Sequence, residues 1–372
     1  MWLRAQWYPL PNEKTWRETV DREVIQTRKS VGICDVTTLG KIDIQGKHAT
    51  EFINRVYTNG FAKLAIGKVR YGIMLREDGI AMDDGTTARL DKNHYIMTTT
   101  TANAISVFRH LGFCRQCLWP KMDVHLISVT EQWAQFAIAG PKSRVLIQRI
   151  VDKKFDISNE SLPFMGCAEI SICKGIKARI FRISFSGELA YEVNVESDNG
   201  NFMWEKIMEV GHEFKIQPYG TEALSTLRIE MGHVAGSELD GRTIPYDNSL
   251  EGLLSKKKDF IGKRSLSRKA FTAEDRQKVV GVVPLDKKTS IPEGSHLVKD
   301  SNAPLPNPKL GYISASCWSV EHDNPFSLAI LKDGKNMIGE KLFVMSPLKN
   351  KVIPVEIVSS HYVDPKGERV RS

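Results

Sequence analysis

With 372 residues, 41% of them hydrophobic and 26% charged, the chain can hold two or three domains and is too apolar for wholesale disorder. A formal net charge of +8 admits an anionic partner, either a nucleic acid or a polyanionic small molecule. No apolar run approaches the roughly 20 residues of a helical membrane span, and the N-terminus lacks the basic start and continuous apolar stretch of a secretory signal. Together these features predict a cytoplasmic globular protein, and six scattered cysteines in so long a chain exclude a disulfide framework.

The chain opens with an aromatic, proline-containing arm (Trp2, Trp7, Tyr8, Pro9, Pro11) and a helical pattern over 15–29, with Thr15 or Thr19 as cap. Residues 31–35 and 41–44 alternate like strands. In 48–57, Ala49, Phe52, Ile53 and Val56 share one face of a short amphipathic helix. A strand over 69–75 turns at Asp78-Gly79, a dipeptide suited to tight hairpin turns, and returns through 80–82 to two adjacent acids, Asp83 and Asp84, closed by Gly85. That pair reads in two ways: as a solvated loop with turn-favouring aspartates, or as a functional carboxylate site just past a short apolar strand. A β-rich strand over 94–101 ends in four threonines, and a helix over 103–118 carries Cys114 and Cys117 one turn apart. Without a second ligand pair, this lone CxxC does not predict a zinc site.

Strands follow at 124–129 and 133–138. Ala139-Gly140-Pro141 then breaks the chain before a helix over 142–151. Further strands at 164–170, 178–184 and 191–195, and helices at 201–210 and 221–231, predict α+β architecture rather than one doubly wound sheet. No GxGxxG or GxxxxGK[ST] occurs, so no Rossmann or P-loop nucleotide site is signalled. Residues 245–268 form an irregular basic bridge. The cluster Lys256, Lys257, Lys258, Lys263, Arg264, Arg268 and Lys269 lacks interleaved aromatics and reads as a solvated face, which argues against nucleic acid. From 279 onward, short strands between prolines and Asp333-Gly334 predict a small all-β barrel or sandwich. The expected division is 1–275, holding two interleaved α+β domains, and 276–372, an all-β barrel domain.

Several of these stretches together resemble the glycine cleavage T-protein (aminomethyltransferase) family. They are Arg28-Lys29-Ser30-Val31-Gly32-Ile33-Cys34-Asp35-Val36, the hairpin ending in Asp83-Asp84, Ala139-Gly140-Pro141, the segment 182–192, and Asp259-Phe260-Ile261-Gly262-Lys263. Within the family, Thr37-Thr38-Leu39-Gly40-Lys41-Ile42, Met97-Thr98-Thr99-Thr100-Thr101-Ala102-Asn103 and Pro218-Tyr219-Gly220-Thr221-Glu222-Ala223-Leu224 are similar to the C-terminal folate half of the heterotetrameric sarcosine oxidase α subunit.

The resemblance implies a three-domain folate-binding fold and a tetrahydrofolate-dependent one-carbon transferase. It would make 5,10-methylenetetrahydrofolate from a methylated-amine-derived donor, beside a flavoprotein partner subunit. Asp84 falls on the family's catalytic aspartate, with Asp83 as the neighbour that raises the pKa of the more buried acid. Glu192 falls on its pteridine-binding glutamate, because a carboxylate can accept two parallel hydrogen bonds from the ring N–H and 2-amino group. Phe185 stands where the family usually has tyrosine, keeping the ring and losing the hydroxyl. Tyr71, Thr100 and Arg228 match further cofactor-binding positions, while Arg182 reads as structural. The basic charge would suit the anionic glutamate tail of a folate, including a polyglutamylated one. Two alternatives stand beside this reading: a standalone folate-dependent demethylase of an S-, N- or O-methyl donor, and a non-catalytic folate-binding regulatory protein. The second predicts a KGCYxGQE segment where this chain has Lys257-Lys258-Asp259-Phe260-Ile261-Gly262-Lys263, with no cysteine.

Overall fold

The computed structural model describes residues 3–304 and 306–372; Trp2 of the expected aromatic arm lies outside the described residues. Helix α1 (Trp16–Lys29) starts at the expected cap. The Thr15 hydroxyl accepts from the Glu18 backbone N–H, and Glu18 accepts in turn from the Lys14 N–H at 3.0 Å. One otherwise orphaned amide of the first turn and the amide just before the cap are thereby satisfied. Strands β1 (Gly32–Asp35) and β2 (Gly40–Gln45) follow at once, yet they belong to different sheets. The four residues between them carry the chain from one layer to the other. Helix α2 (Ala49–Val56) buries Ala49, Phe52, Ile53 and Val56, as their spacing dictates. Its C-terminal end is capped by Lys258, whose Nζ donates to the carbonyls of Asn54 and Tyr57, so the basic run is only partly the solvated face expected of it.

Strands β3 (Lys68–Leu75) and β4 (Ala81–Asp91) form the hairpin, with Gly79 at φ +88° in its turn. The reading of Asp83-Asp84 as a loop past the strand is corrected here. β4 runs on through both acids, and they pair across from Met74 and Ile73. With β5 (His94–Thr99) and, after α3 (Ala104–Phe113), β6 (His125–Ser128), these strands make a five-stranded antiparallel sheet in the order β3-β4-β5-β2-β6. One face, bearing Ile42, Ile44, Tyr95 and Met97, is covered by α2 and α3. The helix expected over 103–118 ends at Phe113 and widens into a single π turn, which leaves Cys114 buried and Cys117 exposed.

The second sheet has six strands. Its members appear in the order β7 (Trp133–Ala139), β8 (Cys167–Ile172) after α4 (Ser143–Gln148), β9 (Ile176–Phe181), β10 (Ala190–Glu196) and, beyond α5 (Gly200–Gly211), the short β11 (Gln217–Pro218). With β1 they stand β11-β1-β7-β10-β9-β8. Ile33, Phe136, Ile138, Ile180 and Val193 pack beneath α4 and α5 through Leu146, Ile147, Met203 and Ile207. The opposite face turns toward the five-stranded sheet, where Cys167 and Phe181 meet Val69, Ala88 and Ile96.

Helix α6 (Thr221–Glu230) leads through the irregular bridge to a closed six-stranded barrel. Its strands are β12 (Lys278–Pro284), β13 (His296–Val298), β14 (Lys309–Ser319), β15 (Asn324–Leu331), β16 (Lys341–Ser346) and β17 (Lys351–Val358). Val280, Val282, Leu297, Val344, Val355 and Ile357 fill its interior. Closure decides between barrel and sandwich and leaves no free sheet edge. The three-residue β13 has no sequence signal of its own among the surrounding prolines and glycines. The barrel docks on α6, where the fully buried Glu230 carboxylate accepts from Ser319 Oγ at 2.5 Å and from Arg28. Among the described residues no helix is long and apolar enough to cross a membrane.

Candidate active site

Strand alternation and register set several of the candidate side chains on the faces that the two sheets turn toward each other. Tyr71, Thr86, Asp84, Thr98 and Lys41 lie on one face of the five-stranded sheet, because Tyr71 opposes Thr86 and Lys41 opposes Thr98. Thr86 and Thr98 hydroxyls sit 2.8 Å apart and tie β4 to β5 on that face. It is the same face that carries Val69, Ala88 and Ile96, and so the one turned to the six-stranded sheet. On the facing layer, Glu192 sits directly beside Phe181 and Ala137. Asp84 and Glu192, far apart in sequence, therefore lie on the faces that the two layers turn toward each other.

The Tyr71 hydroxyl donates to Asp84 Oδ2 at 2.7 Å. Burial pushes the Asp84 carboxyl up to about 6, the Asp83 charge adds to the rise, and the Tyr71 hydrogen bond opposes it. Asp83 points to the other face and is 1% exposed. There it accepts from the Thr100 backbone N–H at 3.2 Å and from Asn103 Nδ2 at 3.0 Å. The expected ligand position Thr100 thus serves Asp83 through its main chain, and Asp83 ties the end of β5 to β4.

Gly85, beside Asp84, lies close against β5. A Cβ there would stand 2.1 Å from the Thr98 carbonyl oxygen, which is backbone and cannot yield cheaply. Gly85→Ala is expected to cost about 1–3 kcal/mol, the usual scale of overpacking. A denaturant melt checks it, and a variant within 0.5 kcal/mol of wild type, the ordinary surface-substitution scatter, would contradict that close approach.

Glu192 is partly accessible although it lies deep between the layers. Its Oε2 accepts from Gln135 Nε2, and no hydrogen bond is recorded to its Oε1 among the described residues. Burial pushes its carboxyl up to about 7, opposed by the Gln135 hydrogen bond and by the Lys41 charge. Lys41 is 0% exposed and donates to the carbonyls of Thr37 (2.7 Å) and Leu39 (3.1 Å). Burial draws its ammonium down to about 8, against the pull of Glu192 and Asp35.

Phe185 is 38% exposed, with its ring 5.9 Å from that of His233. The His233 imidazole is held below its ordinary value by burial, and its Nδ1 donates to the Phe185 carbonyl at 3.1 Å. Arg228, expected at the cofactor, is engaged internally. Its guanidinium pairs with the buried Glu238 at 2.8 Å and donates to the His233 carbonyl at 3.2 Å, so what it supports is the Phe185–His233 contact. Arg182, 1% exposed, donates to Asn159 and to the Leu162 carbonyl, as a structural arginine would.

Sequence reasoning missed Lys41 and Gln135. Lys41 and Asp43 alternate with Ile42 and Ile44, the ordinary mark of a solvent face, and nothing local reveals that a second sheet covers it. Gln135 sits between Ala134 and Phe136, and its polarity in an otherwise apolar strand was the available signal.

The chain matches the family described as the GCVT N-terminal domain over residues 1–258. It is 48% identical over its whole length to the sarcosine oxidase subunit alpha of Rhizobium meliloti (strain 1021), of which it spans 38%. Against the corresponding subunit of Corynebacterium sp. (strain P-1) it is 42% identical over 99% of this chain, again spanning 38% of that protein. The aminomethyltransferase of Natranaerobius thermophilus is 27% identical over 91% of this chain and 89% of its own length. The crystal structure of glycine cleavage system aminomethyltransferase T from Bartonella henselae superposes with a TM-score of 0.80 over 94% of this chain and 91% of that one. At 21% identity this likeness shows the fold. With α+β layers, a closed C-terminal barrel and a family match through most of its length, the chain belongs to the glycine cleavage T-protein family of folate-dependent aminomethyltransferases.

Proposed function

We propose that the inter-sheet cleft binds tetrahydrofolate and that Asp84 serves the transfer of a one-carbon unit onto it, giving 5,10-methylenetetrahydrofolate. The observation that carries this reading is the pair Asp84 and Glu192 on facing layers, each a carboxyl held above its ordinary range. The residues suit the ligand. Glu192 keeps Oε2 fixed by Gln135 and its other oxygen free of recorded partners, so it can accept from a planar pair of ring donors. When bound, tetrahydrofolate supplies the nucleophilic nitrogens that take up the one-carbon unit.

Asp84, held by Tyr71 and poised near pH 6, can take a proton from a cleft ligand and, once ionised, stabilise positive charge developing beside it. Phe185, partly exposed and backed by His233, offers a ring face for stacking. The chain spans 38% of the sarcosine oxidase alpha subunits it matches. In this reading the one-carbon unit is released by oxidation of a methylated amine on a flavoprotein partner and captured here.

Anaerobic calorimetric titration with tetrahydrofolate tests the reading. Saturable one-to-one binding in the micromolar range is expected. A protein that shows no saturable binding would defeat it.

A further inference from the structure

Lys41 is a fully buried charge on the face of β2 turned to the six-stranded sheet, and among the described residues no carboxylate is in contact with it. Its ammonium has three donors and uses two, on the carbonyls of Thr37 and Leu39. A buried charge without a contact partner is costly and calls for a compensating charge nearby. The hydrogen bonds around it lead to Glu192. The Thr37 hydroxyl accepts from the Gln135 backbone N–H at 3.0 Å, and the Gln135 side chain donates to Glu192 Oε2. One short loop therefore holds both the ammonium, through the Thr37 carbonyl, and the backbone of Gln135, whose side-chain amide orients the glutamate, through the Thr37 hydroxyl.

The other groups around Glu192 do not supply a counter-charge. Phe181 and Ala137 flank it on its own sheet. Tyr219 and Cys34 are both pushed up by burial, Cys34 to about 12, and so are neutral in the working range. Arg4 stands against Cys34 Sγ at 3.8 Å, and Asp35 is an acid that draws on Lys41 rather than on Glu192. Lys41 is the cation facing the glutamate among the described residues.

We infer that Lys41 is a positioning residue that acts through Glu192. Its enclosed ammonium, shared with the Thr37–Gln135 loop, keeps Glu192 in the ionised, hydrogen-bond-accepting state that a planar pair of N–H donors requires. The inference rests on the proposed folate reading for its consequence, but not for the Lys41–Glu192 coupling itself. Placing this charge on β2, in the opposite sheet, makes ligand affinity depend on how the two layers meet.

The test compares wild type with Lys41→Met and Lys41→Gln. Methionine keeps the volume, and replacing a buried charge by an apolar group of similar size is often neutral for folding. Glutamine keeps one donor for the Thr37 carbonyl and serves if the methionine variant does not fold. The first readout is the Glu192 midpoint in ligand-free protein, followed by difference infrared spectroscopy of the carboxyl band assigned with Glu192→Gln. Both Lys41 variants are expected to move it upward by about one unit or more. The second is the pH profile of tetrahydrofolate affinity. About fivefold weakening or more is expected at pH 7, where wild-type Glu192 is half ionised, shrinking to within about twofold at pH 9, where it is ionised in both proteins. An unmoved midpoint, or weakening equal at every pH, overturns the inference. A shifted midpoint in a protein that ignores folate upholds the coupling and defeats the folate reading instead.

Discussion

Asp84→Asn is expected to bind tetrahydrofolate within about threefold of wild type and to lose methylene transfer by about 10²–10⁴-fold, the range for a positioned acid–base group. The substitution is nearly isosteric, and the Tyr71 hydroxyl can still donate to the amide oxygen, so the hairpin geometry survives. What disappears is the negative charge and the proton acceptor. Wild-type transfer should rise with pH as Asp84 ionises near pH 6, and that limb should be missing from the residual rate of the variant. Stability provides an internal check with a definite sign. The folded carboxyl holds its proton up to about 6 against an ordinary 3.8, so the folded state binds more protons between those values. Wild-type stability therefore falls as pH rises through that window. The asparagine variant carries no such penalty and should be at least as stable as wild type at pH 7. Transfer rates within tenfold of wild type would remove Asp84 from its assigned role.

Much of the scaffold around the candidate site was legible in the sequence, in a way that follows from how each part is encoded. The hairpin was readable because Asp78-Gly79 and the flanking apolar strand are local signals, and Gly79 does adopt the positive φ they imply. The amphipathic helix and the Thr15 cap were readable for the same reason. What stayed hidden was sheet membership. β1 and β2 look like neighbours, yet β1 pairs with β7 and β11 while β2 pairs with β5 and β6. Only that non-local pairing turns Lys41 and Asp43 from an apparent solvent face into a buried face between two sheets. The fate of Asp83 was hidden in the same way. Adjacent strand residues face opposite ways, so two acids that looked like one site divide into a cleft-facing acid and a buried clasp on Asn103. Arg228 shows the converse limit: a motif position gives no hint that Glu238, ten residues on, occupies the guanidinium.

Glu192→Gln carries the second large effect, and here affinity and stability should move in opposite directions. A neutral amide presents one acceptor where the carboxylate presents two, and it puts an N–H against a ligand donor. Tetrahydrofolate affinity is therefore expected to fall by 10–100-fold, the scale of a lost charge-assisted hydrogen bond with an unpaired donor in its place. The free protein should gain. Glu192 ionises near 7 in the folded chain against an ordinary 4.5, so folding favours the protonated form and wild-type stability declines as pH rises from about 4.5 to 7. Above pH 7 the whole penalty is present, and its removal should raise the stability of the variant by about 1–3 kcal/mol, the order set by the rise from 4.5 to about 7 less solvent screening. Below pH 4.5 the gap should close. Thermal melts at pH 5 and pH 8 with parallel titrations read both quantities on one preparation. A variant that binds as tightly as wild type would show that the ligand does not depend on this carboxylate. A variant less stable than wild type at pH 8 would show that Glu192 is held for folding rather than for binding.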